Sequence, residues 1–398
     1  MNRRGFFAIW TLIGTILWLF PAPDASCQLQ STLTIQSESA VLMDGITGQI
    51  LFQKNPEKRF SPASLVKMMT LYLAFDAIKG GTVTFDQELV VSKKAWKMGG
   101  AQMFLEVRDR VEFAELIKGV AVVSANDGAL AIAEFLAGSE EVFVHQMNQK
   151  ARLLALRHTR FINSHGLHAK GQETSAIDMA TLGFRYITDH PDALEFHTLS
   201  EYNYGGIKQR NRNPLLNRRM GVDGLRTGYL KRSGYHFLFS AKKDSQRLVG
   251  AVMGAKTAKS RNNDALKLLR YGFKNFSTVT VIMEGDVVGK VKVQNGDPPA
   301  VDLLAVEPLV ITTRKGMEES IPLRKEIPLS VHAPISRGNI LGKLVLEGEG
   351  FPTRKIDLIA SQDAQVRSYA AYYLIGMAVV AGLIGFVFWK YQPLRKRR

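Results

Sequence analysis

The chain has 398 residues, of which 46% are hydrophobic and 22% are charged. This length predicts two or three domains, and the composition excludes a disordered chain, a collagen-like chain and a coiled coil. The single cysteine, Cys27, excludes an internal disulfide and a cysteine-rich zinc site. The net charge is +16, but five of the positive charges lie in the last nine residues. We therefore interpret the remainder as a moderately basic surface rather than a nucleic-acid site.

The first 27 residues have the three parts of a secretory signal peptide. Arg3 and Arg4 precede the uncharged stretch 6–20, and small residues follow before Cys27. A helix of about 15 residues covers about 22 Å, which is less than the hydrocarbon core of about 30 Å. We expect a signal peptide over 1–27, against the alternatives of an uncleaved anchor or a lipidated Cys27.

Residues 33–276 mix helical and strand patterns and predict a mixed α/β domain with a largely antiparallel sheet. Short apolar runs around Asp-Gly and Thr-Gly predict a hairpin, and long apolar runs predict buried helices. The predicted elements are a hairpin over 40–52, a helix over 65–78 that ends at Gly80-Gly81, a helical stretch over 111–135 that is broken around 124–128, two antiparallel strands over 235–240 and 247–254, and a helix over 262–273.

Beyond residue 276 the pattern changes to short stretches that alternate with period two. Such stretches, separated by glycine-containing turns, predict a small all-β domain over 277–362. No cluster of catalytic residue types lies in it, so we interpret it as a spacer or contact module. The predicted strands include 278–282, 289–293, 309–313, 329–331 and 343–346.

Residues 369–389 are predicted to form a transmembrane anchor. The segment from Ala370 to Trp389 carries no charge and is long enough to span a bilayer. The basic tail 390–398 follows directly, and positive charge stays on the cytoplasmic side. We therefore expect the rest of the chain to lie outside the cytoplasm. The alternative, a buried core helix, does not account for the terminal position and the basic tail.

A candidate nucleophile lies at the start of the predicted buried helix. Ser64 and Lys67 are three residues apart, so both side chains lie on one helix face. A serine hydroxyl is a weak nucleophile, and a neutral lysine within hydrogen-bond reach can serve as its base. The chain repeats this spacing at Ser240 and Lys243, but there it falls in a predicted strand and turn, which separate the two groups.

Two further motifs follow in the chain. Ser124-Ala125-Asn126 interrupts a helical stretch, where a hydroxyl and an amide can face a cleft. Arg226-Thr227-Gly228 precedes the predicted pair of strands. Its cation and hydroxyl suit a substrate carboxylate, and its glycine lets a substrate backbone lie close. Ser260-Arg261-Asn262 and Arg232-Ser233-Gly234 repeat these patterns, so the interpretation depends on order and context.

The ordered motifs, with the segments PASLVKMMT, SANDGA, NSHGLH and VDGLRTGY, resemble the low-molecular-mass penicillin-binding proteins that are serine-type D-Ala-D-Ala carboxypeptidases. The resemblance covers about 33–362. It implies the penicillin-binding and β-lactamase-like transpeptidase fold, followed by the family's C-terminal β domain. It also implies removal of the terminal D-alanine from peptidoglycan stem pentapeptides outside the cytoplasmic membrane, covalent inhibition by β-lactams, and no cofactor.

The resemblance assigns roles to the catalytic residues and to the oxyanion hole. Ser64 is the acylated nucleophile, Lys67 its general base, and Ser124 relays protons. Asn126 holds the substrate amide. The backbone N–H groups of Ser64 and Tyr229 form the oxyanion hole.

The resemblance also identifies the third motif, Arg226, Thr227 and Gly228, as a substrate-binding strand, and Arg261 as a further ligand of the terminal carboxylate. The family's third motif usually begins with lysine, so Arg226 is a departure. Arginine keeps the charge and can bind a carboxylate through two hydrogen bonds, but it cannot act as an acid or a base.

Several alternatives stay open or are excluded at this point. A peptidase that cuts internal cross-links and a non-enzymatic peptidoglycan-binding protein share these motifs. A class A β-lactamase is disfavoured, because between Asn126 and Arg226 no glutamate precedes an asparagine by four residues. A Ser-His-Asp triad that uses His165 and Asp178 is unnecessary beside the lysine-based motifs. No two histidines have His-x-x-x-His spacing, so we expect no metal site, and the secretion signal argues against nucleic acid.

Overall fold

The computed structural model describes residues 33–216, 220–318, 320–348 and 351–390. The predicted signal peptide and residues 391–398 of the basic tail lie outside the described residues. The described α-helices are α1 (Lys67–Lys79), α2 (Lys93–Trp96), α3 (Phe113–Lys118), α4 (Asn126–Ala137), α5 (Glu140–Leu153), α6 (Ala176–Asp189), α7 (Leu194–Thr198), α8 (Ala258–Asn275) and α9 (Ala370–Lys390).

The strands of the first part of the chain are β1 (Ser39–Asp44), β2 (Ile50–Lys54), β3 (Glu88–Val90), β4 (Arg110–Glu112), β5 (Glu201–Tyr204), β6 (Ile207–Arg210), β7 (Val222–Leu230), β8 (Gly234–Lys243) and β9 (Gln246–Ala255). Those of the second part are β10 (Phe276–Ile282), β11 (Val287–Gln294), β12 (Gly296–Asp297), β13 (Ala300–Ala305), β14 (Leu309–Arg314), β15 (Leu323–Glu326), β16 (Ser330–His332), β17 (Ile340–Gly348), β18 (Phe351–Ala360) and β19 (Gln365–Val366).

An antiparallel sheet with the strand order β2-β1-β9-β8-β7 forms the centre of the first part. Neighbouring residues of a strand point to opposite faces. On β9, Leu248 packs against α8 at Gly272, whereas the adjacent Val249 packs against α6 at Gly183. Helices therefore cover both faces, as expected for the predicted α/β domain with an antiparallel sheet. Strand β7 lies at the edge of this sheet, where one side of its backbone is open to a ligand.

The predicted hairpins and buried helix are confirmed, but the helical stretch over 111–135 was predicted wrongly in detail. Val111 lies in β4, which pairs with β3, and the helix begins only at Phe113. The break is confined to Ser124 and Ala125, because α4 already begins at Asn126. Short-range periodicity does not reveal β4, since a three-residue strand is stabilised only by its distant partner.

The second part is all β, as predicted. A six-stranded sheet with the order β15-β17-β18-β13-β11-β16 encloses a core that includes Val291, Leu303 and Leu358. Two side-chain contacts join this part to the β1–β2 hairpin. Thr278 Oγ1 donates to the Asp44 carboxylate, and the hydroxyl oxygens of Thr47 and Thr312 lie 2.6 Å apart.

Helix α9 corresponds to the predicted anchor. Its segment Tyr372–Lys390 has the length and the composition of a membrane-crossing helix. Nineteen helical residues cover about 28 Å, which is close to the thickness of a hydrocarbon core.

Candidate active site

The candidate nucleophile lies on a 3₁₀ turn, Ala63–Val66, and Lys67 begins α1 directly after it. Side chains three residues apart are aligned in a 3₁₀ turn, so Ser64 and Lys67 project from the same side. Ser64 is partly exposed, whereas Lys67 is fully buried. Ala63 has a φ of 52°, a left-handed conformation that costs a non-glycine residue about 1–2 kcal/mol. Such local strain is characteristic of functional sites.

Two glycines let other segments approach this turn closely. A Cβ atom on Gly228 of β7 would lie 2.9 Å from Leu65 Cδ1 and 3.2 Å from the Pro62 carbonyl oxygen. A Cβ atom on Gly166 would lie 2.1 Å from the Ala63 carbonyl oxygen. Gly166 belongs to residues 163–167, called the 163–167 loop below. The turn that carries Ser64 is therefore enclosed between β7 and the 163–167 loop.

Lys67 is held by two acceptors and is shifted towards its neutral form. Its Nζ donates to Asn126 Oδ1 at 2.6 Å and to the backbone carbonyl of His165. Burial lowers the pKa of Lys67 well below its usual value, because desolvation disfavours the ammonium. The positive charge of Arg226 lowers this pKa further, while the Asp127 carboxylate raises it.

Ser124 presents an unpaired hydroxyl. It ends the π-helical turn Gly119–Val123 in a left-handed conformation with a φ of 67°. Its side chain is buried, and its Oγ has no hydrogen-bond partner among the described residues. A buried hydroxyl without a partner is costly, which indicates a group kept for a ligand or a reacting atom.

Asn126 connects Lys67 to the loop formed by residues 99–105. Its Nδ2 donates to the Gly99 carbonyl at 2.6 Å, and its backbone N–H donates to the Ala101 carbonyl at 2.7 Å. The adjacent Asp127 carboxylate accepts from backbone N–H groups of this same loop, among them that of Met103 at 3.0 Å. The first turn of α4 thus fixes the loop, and the loop fixes the amide that holds Lys67.

Arg226 lies behind the site rather than at its surface. It is 2% exposed, and its Nη2 donates to the Val120 carbonyl. Its Nε has no hydrogen-bond partner among the described residues. Burial lowers the pKa of Arg226 to about 10, so the guanidinium stays charged at neutral pH. In this arrangement Arg226 acts on Lys67 through its charge.

The rest of the third motif lies along the open edge. Thr227 Oγ1 donates to the Arg212 carbonyl at 3.4 Å, and Arg212 Nε donates to the Val123 carbonyl at 3.4 Å. Arg212 therefore joins the third motif to the residue directly before the second, although no motif or spacing in the sequence identified it. Tyr229 is 52% exposed, and its ring stacks on Tyr235 with 4.3 Å between centroids.

Arg261 lies at the start of α8, beside this aromatic pair. Its guanidinium carbon lies 5.6 Å from the Phe237 ring and 6.0 Å from the Tyr235 ring, and its Nε and Nη2 donate to Asn262 Oδ1. Burial lowers the pKa of Arg261 to about 10. Arg261 and Tyr229 thus both lie against the Tyr235 ring.

The other catalytic residues that the sequence suggested, His165 with Asp178 and the second serine Ser240, are not arranged for the roles considered. His165 Nε2 lies 3.4 Å from Glu140, while the Asp178 carboxylate accepts from Thr159 Oγ1 and the His158 N–H, so a triad with Asp178 is not formed. Burial lowers the pKa of His165 to about 4. Ser240 is fully buried in β8, where it accepts from Arg247. Among the described residues, no group of three or more His, Cys, Asp or Glu could hold a metal ion.

These features are the ones expected of a serine peptidase site with a lysine beside the nucleophile, and the comparisons with known proteins show a serine peptidase family. The chain belongs to the D-alanyl-D-alanine carboxypeptidase family of S11 peptidases, whose model matches residues 26–257. A second model, the C-terminal domain of penicillin-binding protein 5, matches residues 276–365.

Similar proteins span both parts of the chain. The D-alanyl-D-alanine carboxypeptidase DacF of Bacillus subtilis is 35% identical over 91% of this chain and 95% of its own length. The D-alanyl-D-alanine carboxypeptidase DacC of Escherichia coli is 34% identical over 88% of this chain and 90% of its own length. The crystal structure of penicillin binding protein 5 from Haemophilus influenzae has a TM-score of 0.76 and 35% identity, and the match covers 83% of this chain and 98% of that one.

Proposed function

We propose that this chain is a serine D-alanyl-D-alanine carboxypeptidase that removes the terminal D-alanine from peptidoglycan stem pentapeptides through an acyl-enzyme on Ser64. One observation carries the proposal. A fully buried lysine, Lys67, lies one turn from the partly exposed Ser64, and its Nζ is held by Asn126 and by the His165 carbonyl.

The two acceptors orient the lone pair of Lys67. A neutral amine has two N–H bonds and one lone pair. Asn126 Oδ1 and the His165 carbonyl each accept a hydrogen bond from one of these N–H groups. The lone pair therefore remains free to accept the proton of the Ser64 hydroxyl. Burial and the charge of Arg226 favour this neutral form. Lys67 is therefore suited to be the general base.

Acylation then follows the ordinary course of serine peptidases. Ser64 Oγ attacks the carbonyl carbon of the D-Ala-D-Ala bond and passes its proton to Lys67. The C–N bond breaks, and the proton on Lys67 passes through the unpaired Ser124 hydroxyl to the leaving amine, which returns Lys67 to its neutral form. Water next hydrolyses the ester, with Lys67 again as the base. The backbone N–H groups of Ser64 and Tyr229 stabilise the oxyanion.

The substrate backbone adds to the open edge of β7, as peptides add to exposed sheet edges elsewhere. Gly228 leaves room for it, Asn126 holds the penultimate amide, and Thr227 with Arg261 binds the terminal carboxylate. Arg226 adds positive potential from behind the site. The same groups receive penicillins, which acylate Ser64.

We further propose the arrangement of the whole chain. After removal of residues 1–27, the peptidase domain 33–276 and the β domain 277–362 lie outside the cytoplasmic membrane. The helix over 369–389 anchors them, and the tail 390–398 lies in the cytoplasm. The charge-free segment 370–389 of α9 and the basic tail that follows it support this topology.

The proposal is tested by incubating a tail-free protein, residues 28–367, with diacetyl-Lys-D-Ala-D-Ala. We expect the release of free D-alanine by the wild type and its loss in Ser64→Ala. A correctly folded wild type that releases no D-alanine would contradict carboxypeptidase activity. Cleavage of cross-linked muropeptides alone would show the endopeptidase alternative instead.

A further inference from the structure

The 163–167 loop forms the back wall of the Ser64–Lys67 turn. The His165 carbonyl accepts from Lys67 Nζ, and the Ser164 carbonyl accepts from Thr70 Oγ1 at 2.6 Å, one turn further along α1. Gly166 lies against the Ala63 carbonyl. The loop therefore contributes backbone atoms to the site, and its position determines where the His165 carbonyl lies.

One carboxylate holds this loop from the side opposite Lys67. Glu140 Oε1 accepts from the Ser164 N–H at 3.0 Å and from Ser164 Oγ at 2.8 Å, and it lies 3.4 Å from His165 Nε2. The Glu140 side chain is only 13% exposed, so water competes little for these bonds.

The position of Glu140 favours a fixed carboxylate. Glu140 is the first residue of α5, directly after the N-cap Ser139. A negative charge there is stabilised by the helix dipole. Lys94 Nζ lies 3.6 Å from Glu140 Oε2, the oxygen that does not accept from Ser164. The carboxylate is thus tied to a helix end, while its other oxygen binds the loop.

We propose that Glu140 is a positioning residue for acyl transfer, which acts by holding the His165 carbonyl on Lys67. This inference rests on the proposed role of Lys67 as the base. If the loop moves, Lys67 loses one of its two acceptors and its amine rotates. The lone pair then no longer points at the Ser64 hydroxyl for most of the time. Substrate binding along β7 does not involve Glu140, so the effect falls on kcat rather than on KM.

The hydrogen-bond acceptor, rather than the charge, carries this role. Glutamine keeps one acceptor oxygen at the same reach, so Glu140→Gln retains the bonds from Ser164. Glu140→Ala removes them. Glu141→Ala is a matched control, because Glu141 is the next residue of α5, its side chain is 77% exposed, and it also lies near Lys94.

The experiment measures kcat and KM for D-alanine release, the rate of penicillin acylation and the thermal unfolding midpoint of each variant. A misplacement of about 1 Å can lower a rate by about 100-fold. For Glu140→Ala we therefore expect kcat and the acylation rate to fall by about 10- to 100-fold, with KM changed by less than about threefold. Glu140→Gln and Glu141→Ala should stay within about threefold of the wild type.

A second variant, Ser164→Ala, tests the same contact if Glu140→Ala does not fold. Ser164→Ala removes one donor from the loop side and leaves α5 unchanged, so we expect a kcat decrease of about three- to tenfold. A wild-type kcat in folded Glu140→Ala and Ser164→Ala would overturn the proposal, as would equal losses in Glu140→Ala and Glu140→Gln. If the wild type itself neither releases D-alanine nor binds penicillin covalently, the proposed function fails instead.

Discussion

Gly166→Ala should strongly lower the rate of catalysis, while its effect on the free energy of unfolding should be moderate. The new Cβ would lie 2.1 Å from the Ala63 carbonyl oxygen, whereas ordinary van der Waals contact begins at 3.4 Å. The 163–167 loop and the Ser64 turn must therefore separate by about 1.3 Å, the difference between these two distances. A displacement of this order at the reacting atoms costs about 100-fold in rate.

The matched control is Gly171→Ala. Gly171 has a φ of 85°, close to the 81° of Gly166, but a Cβ there would meet nothing within 4 Å. Both variants carry the left-handed strain of about 1–2 kcal/mol. Only Gly166→Ala adds the collision, which costs about 1–3 kcal/mol more if the core repacks.

The assay is kcat/KM for D-alanine release, together with the penicillin acylation rate and the free energy of unfolding in urea. We expect Gly166→Ala to lose about 100-fold in both rates, and Gly171→Ala to stay within about threefold of the wild type. If the two variants have the same kcat/KM, the contact between the 163–167 loop and Ala63 does not position Ser64, and the reasoning is wrong.

Three further results are expected. Arg226→Ala removes a charge that lowers the pKa of Lys67, so this pKa should rise and the acidic limb of the kcat/KM profile should move to higher pH. Arg226→Lys keeps the charge and should leave the limb in place. An unchanged limb in Arg226→Ala would exclude the electrostatic role of Arg226. Lys67→Arg should lower kcat by about 100- to 10,000-fold, since arginine supplies no lone pair at neutral pH; near-normal turnover would rule Lys67 out as the base. The full-length protein should resist carbonate extraction from membranes, and truncation before Ser368 should release an active soluble form; extraction of the full-length protein would show a surface-bound helix.

The elements with strong local signals could be predicted from the sequence. The β8–β9 pair shows two apolar runs around a polar turn, and the structure places them at Gly234–Lys243 and Gln246–Ala255. The spacing of Ser64 and Lys67 indicated one face of a helix, and the 3₁₀ turn aligns them.

Other features of the site have no local signal. The groups that hold Lys67 in place include the His165 carbonyl and, through Asn126, the Gly99 carbonyl. Every residue has a carbonyl, so the sequence cannot show which ones converge. The sequence suggested a role for the His165 ring, but it is the His165 backbone carbonyl that contacts Lys67, the proposed base. The burial of Arg226 likewise depends on how the π-helical turn packs on β7, which involves segments about 100 residues apart.

Acylation of Ser64 is tested most directly by peptide mapping after penicillin treatment. The tail-free protein is labelled, digested and analysed by mass spectrometry. We expect the penicilloyl adduct on the peptide that contains Ser64, and its loss in Ser64→Ala. An adduct on the peptide that contains Ser240, or labelling that persists in Ser64→Ala, would contradict the assignment of the nucleophile.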